Sequence, residues 1–161
     1  MNLESSFKSF CELNKFEVNA QQIEIIDLLD KFINQKETFF SKLFKKRKKL
    51  CFYLYGKVGV GKTMLLDFVY DKLRIKKYRQ HFNEFMINFH DFRHEKKDNN
   101  TIRDFVKKLK KNYDLIYLDE FQVSNIVDAM ILGKLFEVIF EENIIIVITT
   151  NVKLNELYKD G

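Results

Sequence analysis

Glycine is scarce in this sequence, and most of it lies at one place. The 161 residues contain five glycines and no proline, and Gly56, Gly59 and Gly61 fall within six positions. Glycine adopts backbone conformations with positive φ that other residues avoid, so such a cluster marks a tight turn. The segment 56–63 reads GKVGVGKT and follows the apolar run LCFYLY at 50–55. We therefore expect a buried strand, a glycine-rich loop and then a helix to about Leu73.

The composition agrees with a single globular domain. Hydrophobic residues make up 46% of the chain and charged residues 32%, which is typical of a folded protein rather than a disordered one. The longest aliphatic run, 144–148, is far shorter than the roughly 18 apolar residues of a membrane-spanning helix. The first residues resemble neither a secretory signal nor a transit peptide. We expect one structural domain in a cytoplasmic setting, with residues 1–49 forming an N-terminal helical segment and basic connection and residues 50–161 forming the core.

Strands and helices alternate along the chain. Strands are predicted at 50–55, 79–87, 115–118 and 144–149 from short apolar or alternating runs. Helices are predicted at 19–34, 63–73, 101–111 and 124–140, the last with Ser124 as its cap, and a polar loop is predicted at 90–100. Strands that alternate with helices indicate an α/β domain with a mostly parallel sheet between helical layers. We therefore predict a three-layer α/β/α fold.

The segment 56–63 matches G-x-x-x-x-G-K-[ST], the pattern of a phosphate-binding loop (Walker A). In such a loop, successive backbone amides surround the β-phosphate and the following helix N-terminus adds a positive potential. Lys62 would bridge the β- and γ-phosphates, and Thr63 would supply a hydroxyl to magnesium. An ordinary glycine turn is the weaker interpretation, because a strand, a helix and a carboxylate pair accompany the motif. The predicted nucleotide-binding residues are Gly56, Lys57, Val58, Gly59, Val60, Gly61, Lys62, Thr63 and Met64.

Two carboxylates follow the third predicted strand, in the sequence LIYLDE at 115–120. Asp119 lies at the carboxyl end of this strand, where ligands bind in open α/β sheets, and it is predicted to hold Mg²⁺ directly or through water. Glu120 is predicted to polarise the water that attacks the γ-phosphate. A second carboxylate at this position favours hydrolysis over a small-molecule kinase. Asn151 follows the fourth strand and is a candidate sensor of the γ-phosphate, although asparagine after a strand is more often only a turn residue.

Four segments of the chain carry a resemblance to a known family. They read GKVGVGKTMLLDFVY at 56–70, RQHFNEFMINFH at 79–90, LDEFQVSNIVDAMILGKLF at 118–136 and ITTNVKLNELYKDG at 148–161. They resemble the ZapE family, which comprises bacterial cell-division ATPases and their mitochondrial relatives, the lactation-elevated ATPases. The resemblance implies an AAA-like P-loop core that takes ATP with magnesium. It implies that Lys62 and Thr63 serve the nucleotide, Asp119 and Glu120 the metal and the water, and Asn151 the γ-phosphate.

The resemblance also implies a protein partner that ATP hydrolysis remodels. In bacteria this is the division protein FtsZ at the inner face of the membrane, and in mitochondria the relatives are linked to turnover of membrane proteins. Three positions depart from the family pattern without touching the phosphate chemistry: Asn83 replaces a histidine, Asn125 an aspartate and Lys134 an arginine. Peripheral contact with the membrane and a homo-oligomer both remain open.

Family members continue beyond position 161 into an arginine-bearing segment, a fifth strand and a helical lid, so the resemblance implies an incomplete core. No arginine follows Asn151 to act on the nucleotide of a neighbouring subunit. Such an arginine finger is worth about 10³ to 10⁵ in rate. We therefore expect this chain to bind ATP and to hydrolyse it weakly by itself. Without a fifth strand, the strand that leads into the phosphate loop would lie at the sheet edge.

Several other features have a simpler interpretation than a ligand site. The net charge of +5, the basic cluster at 45–49 and the lysines Lys107, Lys108, Lys110 and Lys111 are interpreted as exposed charge, so nucleic acid is not the expected partner. The alternatives left open are a nucleotide-dependent DNA-binding module, such as a helicase loader, and a nucleotide-binding fragment with little hydrolysis. Beyond magnesium with ATP, no stable metal site is expected.

The histidines, the cysteines and three of the phenylalanines are assigned structural roles. His90 and His94 are interpreted as structural or solvent-facing groups, and His81 as a buried hydrogen-bonded group. Cys11 and Cys51 are interpreted as small buried side chains, and Phe121, Phe136 and Phe140 as core residues.

Overall fold

A computed structural model of the chain describes residues 3–34, 50–96, 100–123 and 126–157. Within these ranges the elements are α1 (Leu3–Asn14), α2 (Ala20–Ile33), β1 (Cys51–Tyr55), α3 (Lys62–Lys72), β2 (Lys77–His81), α4 (Phe82–Lys96), α5 (Thr101–Asn112), β3 (Leu115–Asp119), α6 (Ile126–Glu141), β4 (Ile145–Thr150) and a 3₁₀-helix (Leu154–Glu156). The described residues form two compact units. The first contains residues 3–34 and 63–73, and the second contains residues 50–62 and 74–157. None of the described helices combines the length and the apolar composition that crossing a bilayer requires.

The first unit is built from α1, α2 and most of α3. Helix α1 buries Leu3, Phe7 and Cys11, which recur every fourth residue and therefore share one helix face. The Phe7 ring meets the edge of Phe68 on α3, with ring centroids 5.2 Å apart. Residues 1–49 were predicted to form a helical segment, but a helix with defined bounds was predicted only at 19–34, so the position of α1 is new information from the structure.

Helix α2 confirms the prediction of a helix at 19–34. It begins with a capping box in which the Asn19 side chain accepts a hydrogen bond from the backbone N–H of Gln22 at 2.8 Å. The Gln22 side chain accepts in turn from the backbone N–H of Asn19 at 3.4 Å. These two bonds satisfy backbone donors that the first turn of a helix leaves without an intrahelical partner.

The second unit contains a parallel sheet with the strand order β1-β4-β3-β2. Strands β3 and β4 are interior, and all five residues of β3 are buried, as expected for a central parallel strand. Strands β1 and β2 form the two edges of this four-stranded sheet. The predicted α/β fold with a parallel sheet is confirmed. The prediction that Cys51 is buried is wrong, because it begins edge strand β1 and is exposed, whereas Cys11 is buried as predicted.

Helices α4, α5 and α6 pack with one face of the sheet to form the main core of the second unit. Alternate residues of the interior strands point into it, Ile116 and Leu118 from β3 and Ile146 and Ile148 from β4. Phe121 is 3% exposed and belongs to this cluster, so its predicted core role is confirmed. Phe136 and Phe140 pack against the cluster as partly buried side chains.

The predicted strand at 79–87 and the predicted loop at 90–100 are both wrong in part. Strand β2 ends at His81, and α4 begins at the next residue and continues to Lys96. The buried residues of α4 are Phe82, Phe85, Met86 and Phe89, which follow the three- and four-residue spacing of a helix rather than the alternation of a strand. A segment of nine residues was too short for the two periods to be separated by sequence pattern.

The remaining boundaries agree with prediction to within about two residues where the structure describes them. The predicted helix at 124–140 corresponds to α6, but its predicted cap Ser124 lies outside the described residues. The same holds for Asn125 and for the basic run 45–49.

Candidate functional site

The loop between β1 and α3 contains glycines that are required for two different reasons. Gly59 and Gly61 have φ values of +84° and +81°, a region that residues with a Cβ rarely adopt. At Gly56 the constraint is space, because a Cβ there would lie 3.3 Å from the Cγ2 of Val60. The backbone N–H of Gly56 donates to the carbonyl of Thr150 at 3.2 Å. The start of the loop is therefore attached to the end of β4.

Lys62 joins this loop to the candidate sensor. Its Nζ lies 2.7 Å from the carbonyl oxygen of Gly56 and 2.9 Å from that of Lys57. It also lies 3.1 Å from Oδ1 of Asn151. An ammonium group has three protons, so these three bonds match its donor capacity. Two predicted site residues that are 89 positions apart in sequence are thus in direct contact.

The other predicted nucleotide-binding residues lie in the loop after β1 and in the first turn of α3. Val58 and Val60 are exposed, at 82% and 52%. Thr63 and Met64 are the second and third residues of α3, within the first turn, where backbone N–H groups have no intrahelical acceptor.

Asp119 is a buried carboxylate with three hydrogen-bond donors. Its Oδ2 accepts from Nη2 of Arg79 at 3.0 Å, and its Oδ1 accepts from the backbone N–H of Glu120 at 3.0 Å and from the hydroxyl of Thr149. Burial by itself would raise the pKa of Asp119, but the hydrogen bonds from Thr149 and Arg79, the Arg79 charge and the Glu120 amide outweigh it and lower the pKa. The carboxylate is therefore held in its ionised form.

This environment fits a magnesium ion. Mg²⁺ prefers oxygen ligands and typically takes one or two carboxylates together with waters and phosphate oxygens. An ionised carboxylate offers about four lone-pair positions. Three of them are used by the donors described above, so Asp119 retains room for about one further bond, to a metal ion or to its water. In the described part of the chain, no group of three or more His, Cys, Asp and Glu side chains is arranged to hold a metal ion by itself.

Arg79 and Thr149 are functional candidates that were not predicted from the sequence. Both lie on strands that flank β3, and their side chains converge on the carboxylate of Asp119. The signal that could have found them is strand register, since Arg79 pairs with Tyr117 in the β2–β3 ladder. Register between parallel strands is not encoded by either strand alone.

Glu120 differs from Asp119 in both exposure and backbone conformation. Its side chain is 76% exposed, and its φ of +54° lies in the left-handed region that non-glycine residues rarely adopt. Such outliers often occur at functional sites. The Glu120 carboxylate lies 3.8 Å from Nδ1 of His81, whose side chain is 55% exposed. The prediction that His81 is buried is therefore wrong, because edge strand β2 ends there.

The residue Phe121 after β3 is attached to the end of β4 by backbone and hydroxyl groups. The N–H of Phe121 donates to the carbonyl of Thr149 at 2.8 Å, and the hydroxyl of Thr150 donates to the carbonyl of Phe121 at 2.6 Å. The hydroxyl of Tyr53 on β1 donates to the carbonyl of Val152 at 2.8 Å. The acid pair, Asn151 and the strand before the loop therefore form one hydrogen-bonded network.

A cavity of about 430 Å³ opens beside this network. Its walls come from the segments after β3 and β4 and from the first turn of α4. Most of the residues that line it are polar, namely Asn83, Glu120, Gln122, Thr150 and Asn151. The apolar lining residues are Phe121 and Val152.

The histidine pair on α4 does not form a cluster of ligands. Nε2 of His90 lies 2.9 Å from Oδ1 of Asp128 and connects α4 to α6. His94, one turn further, is exposed.

The chain matches a family model and curated relatives. The model of the AFG1-like ATPase family matches residues 12–161. Lactation elevated protein 1 homolog B of Danio rerio is 38% identical over 141 residues, which cover 80% of this chain and 28% of that protein. The cell division protein ZapE of Escherichia coli K12 is 37% identical over 111 residues, which cover 68% of this chain and 30% of that protein. The chain thus spans less than a third of the length of these relatives.

Solved structures share the fold at low sequence identity. AMPPCP-bound DnaA from Aquifex aeolicus superimposes with a TM-score of 0.59 at 17% identity, covering 87% of this chain and 41% of that chain. The DnaC helicase loader superimposes with a TM-score of 0.58 at 19% identity, covering 88% of this chain and 77% of that chain. These likenesses concern the fold, whereas the family model and the relatives concern the sequence along most of its length. The chain belongs to the AFG1-like ATPase family.

Proposed function

We propose that the chain binds ATP with magnesium at the carboxyl ends of β1, β3 and β4 and hydrolyses it. One observation carries the proposal. The last two residues of β4 and the residue that follows connect the phosphate loop to Asp119: Thr149 donates to Asp119, Thr150 accepts from Gly56, and Asn151 accepts from Lys62. Membership of an ATPase family supports the same conclusion.

Each side chain has a role in this proposal. Lys62 neutralises the β- and γ-phosphates, and the loop amides of residues 56–61 bind the same anion. Asp119 holds the magnesium ion that supplies charge neutralisation for the phosphates. The loop motif assigns a hydroxyl ligand of magnesium to Thr63, the residue after Lys62. Glu120 is exposed and so is accessible to water, which it orients and deprotonates. Asn151 senses the γ-phosphate. Its side-chain oxygen accepts a hydrogen bond from Lys62, the residue that neutralises the same phosphate.

The first test measures binding of a fluorescent ATP analogue to the purified chain. Lys62→Ala should abolish binding, since both phosphate neutralisation and the loop contacts of the ammonium are lost. The matched control is Lys134→Ala, which removes an exposed lysine that is paired with Glu137 on α6. Equal binding by wild type and Lys62→Ala would contradict the proposed site.

The second test separates binding from chemistry. Glu120→Gln should retain the nucleotide and reduce phosphate release by about 10² to 10⁴, the usual contribution of a general base. Glu137→Gln, an exposed position on α6, is the control. Phosphate release by Glu120→Gln at the wild-type rate would exclude Glu120 as the residue that activates water.

For the partner, we propose a protein that ATP turnover remodels, with FtsZ as the candidate indicated by the resemblance to ZapE. Co-sedimentation with FtsZ polymers in the presence of ATP tests this, and the Glu120→Gln variant should prolong the complex.

The second candidate is DNA, because α5 exposes Lys107, Lys108 and Lys111. DNA binding would weaken with salt by about 0.9 in log–log slope for each neutralised phosphate. FtsZ binding with no DNA binding at moderate salt would favour the first candidate.

A further inference from the structure

Arg79 reaches the buried carboxylate of Asp119 from an edge strand. The guanidinium carbon lies 5.0 Å from the centroid of the Tyr117 ring, and Nη2 donates to Oδ2 of Asp119 at 3.0 Å. Tyr117 and Asp119 lie on the same face of β3, because side chains alternate along a strand. Arg79 pairs with Tyr117 in the ladder, so its side chain runs across that ring to the acid two residues further on.

The two oxygens of Asp119 have different partners. Oδ1 accepts from the Thr149 hydroxyl and from the Glu120 amide, which are neutral donors. Oδ2 accepts from Arg79, a group that is permanently cationic. The Asp119 side chain is 7% exposed and the Arg79 side chain 34%, so this ion pair is screened less than a pair between two fully exposed side chains. The negative charge of Asp119 is therefore already compensated by a cation that belongs to the chain.

A divalent cation at the same carboxylate would lie close to the positive guanidinium. Repulsion between like charges at such short range in a partly buried site is large compared with thermal energy. The same guanidinium keeps the carboxylate oriented, and losing that orientation would weaken metal binding. The repulsion is the larger effect, because Oδ1 keeps its two neutral donors when Arg79 is replaced and the carboxylate stays oriented through them.

We propose that Arg79 is a built-in counter-ion that competes with magnesium for Asp119 and so sets the magnesium concentration at which the nucleotide site fills. Arg79 is a positioning residue in this scheme, and the inference rests on the proposed function. A consequence is that magnesium binds Asp119 well only when it arrives with the phosphates, which supply the additional negative charge.

The experiment titrates Mg²⁺ at constant ionic strength and follows binding of a fluorescent ATP analogue. Arg79→Gln should lower the Mg²⁺ concentration at half-saturation about tenfold, whereas Arg79→Lys, which keeps the charge, should stay within about twofold of wild type. The matched control is Arg103→Gln on α5, whose exposed pair with Glu141 lies outside the site. A purely structural role for Arg79 predicts the opposite sign, since a disturbed site binds metal less well. An unchanged or raised half-saturation concentration in Arg79→Gln overturns the proposal.

A second measurement does not depend on nucleotide. Thermal unfolding is followed with Mg²⁺ and with an NaCl control of equal ionic strength. Mg²⁺ should raise the Tm of Arg79→Gln more than that of wild type, because the metal replaces the missing cation. If wild type binds no nucleotide at any Mg²⁺ concentration, the proposed function fails, and this measurement alone decides on Arg79. Equal Mg²⁺ effects on the two proteins would then overturn the counter-ion role.

Discussion

Asp119 and Glu120 are adjacent carboxylates with different environments, and the backbone of Glu120 creates the difference. The positive φ of Glu120 turns the chain at the end of β3, so that its N–H donates back to Asp119 while its side chain faces solvent. Asp119 remains in the sheet with donors from β2 and β4. One residue is thereby suited to hold a cation, and the next is suited to meet water.

The strained backbone of Glu120 leads to a stability prediction. Glu120→Gly should raise the free energy of unfolding by about 0.5 to 1 kcal/mol, because a left-handed conformation costs an L-residue about 1 to 2 kcal/mol and glycine returns part of that gain as unfolded-state entropy. Urea denaturation at neutral pH measures the change. The same variant should lose phosphate release together with the carboxylate.

The control for this prediction is Gln122→Gly, two residues further on, whose φ is not positive. It should lower stability by about 0.5 to 1 kcal/mol, because only the entropic cost of glycine remains. A Glu120→Gly variant that loses as much stability as this control would show that the left-handed conformation carries no strain.

Individual helices differ in how far neighbouring residues along the chain determine where the helix begins. Helix α2 carries its own start signal, since Asn19 and Gln22 exchange hydrogen bonds within four residues. Helix α4 begins directly after the last residue of β2. What defines α4 is burial, because Phe85 and Phe89 pack against Phe105 of α5 with ring centroids 5.8 Å and 5.2 Å apart.

The capping box of α2 can be tested by one substitution. Asn19→Ala should lower the free energy of unfolding by about 1 kcal/mol, since the N–H of Gln22 loses its acceptor. Asn14→Ala is the control, because the Asn14 side chain donates to the Phe10 carbonyl at the exposed end of α1. The control should change stability by less than about 0.5 kcal/mol. Equal losses for the two variants would contradict a specific role for the cap.

The second unit as a whole is least accessible at its two interior strands. Every residue of β3 is buried, and β4 is buried except at its first residue. The edge strands β1 and β2 contain only intermediate and exposed residues. Local opening requires less free energy where fewer apolar contacts and more solvent-exposed hydrogen bonds are involved.

Native-state hydrogen exchange should therefore rank the strands. Amides of 116–118 and 146–148 should exchange most slowly, at rates governed by global unfolding, and amides of β1 and β2 should exchange faster. Mass spectrometry of peptides from 50–55, 77–81, 115–119 and 145–150 measures the order within one sample, so each strand serves as a control for the others. Protection of β1 equal to that of β3 would contradict this ranking.

Local patterns in the sequence predict the segments of the candidate site and the class of fold. The glycine loop at 56–63, the acids at 119 and 120 and the apolar strands between them are local patterns, and each requires only a few consecutive residues to be recognised. The parallel α/β fold follows from their alternation with helices. The family follows from the same segments, and the match over residues 12–161 confirms it.

The order and the register of the strands, by contrast, are properties of the folded chain. That register brings Arg79 and Thr149 to the carboxylate of Asp119 and attaches Lys62 to Asn151. Tertiary packing also makes the residues after His81 helical, because burial against α5 outweighs a short alternating pattern. The physical reason is that pairing and packing energies belong to two segments jointly, and no window along a single segment contains them.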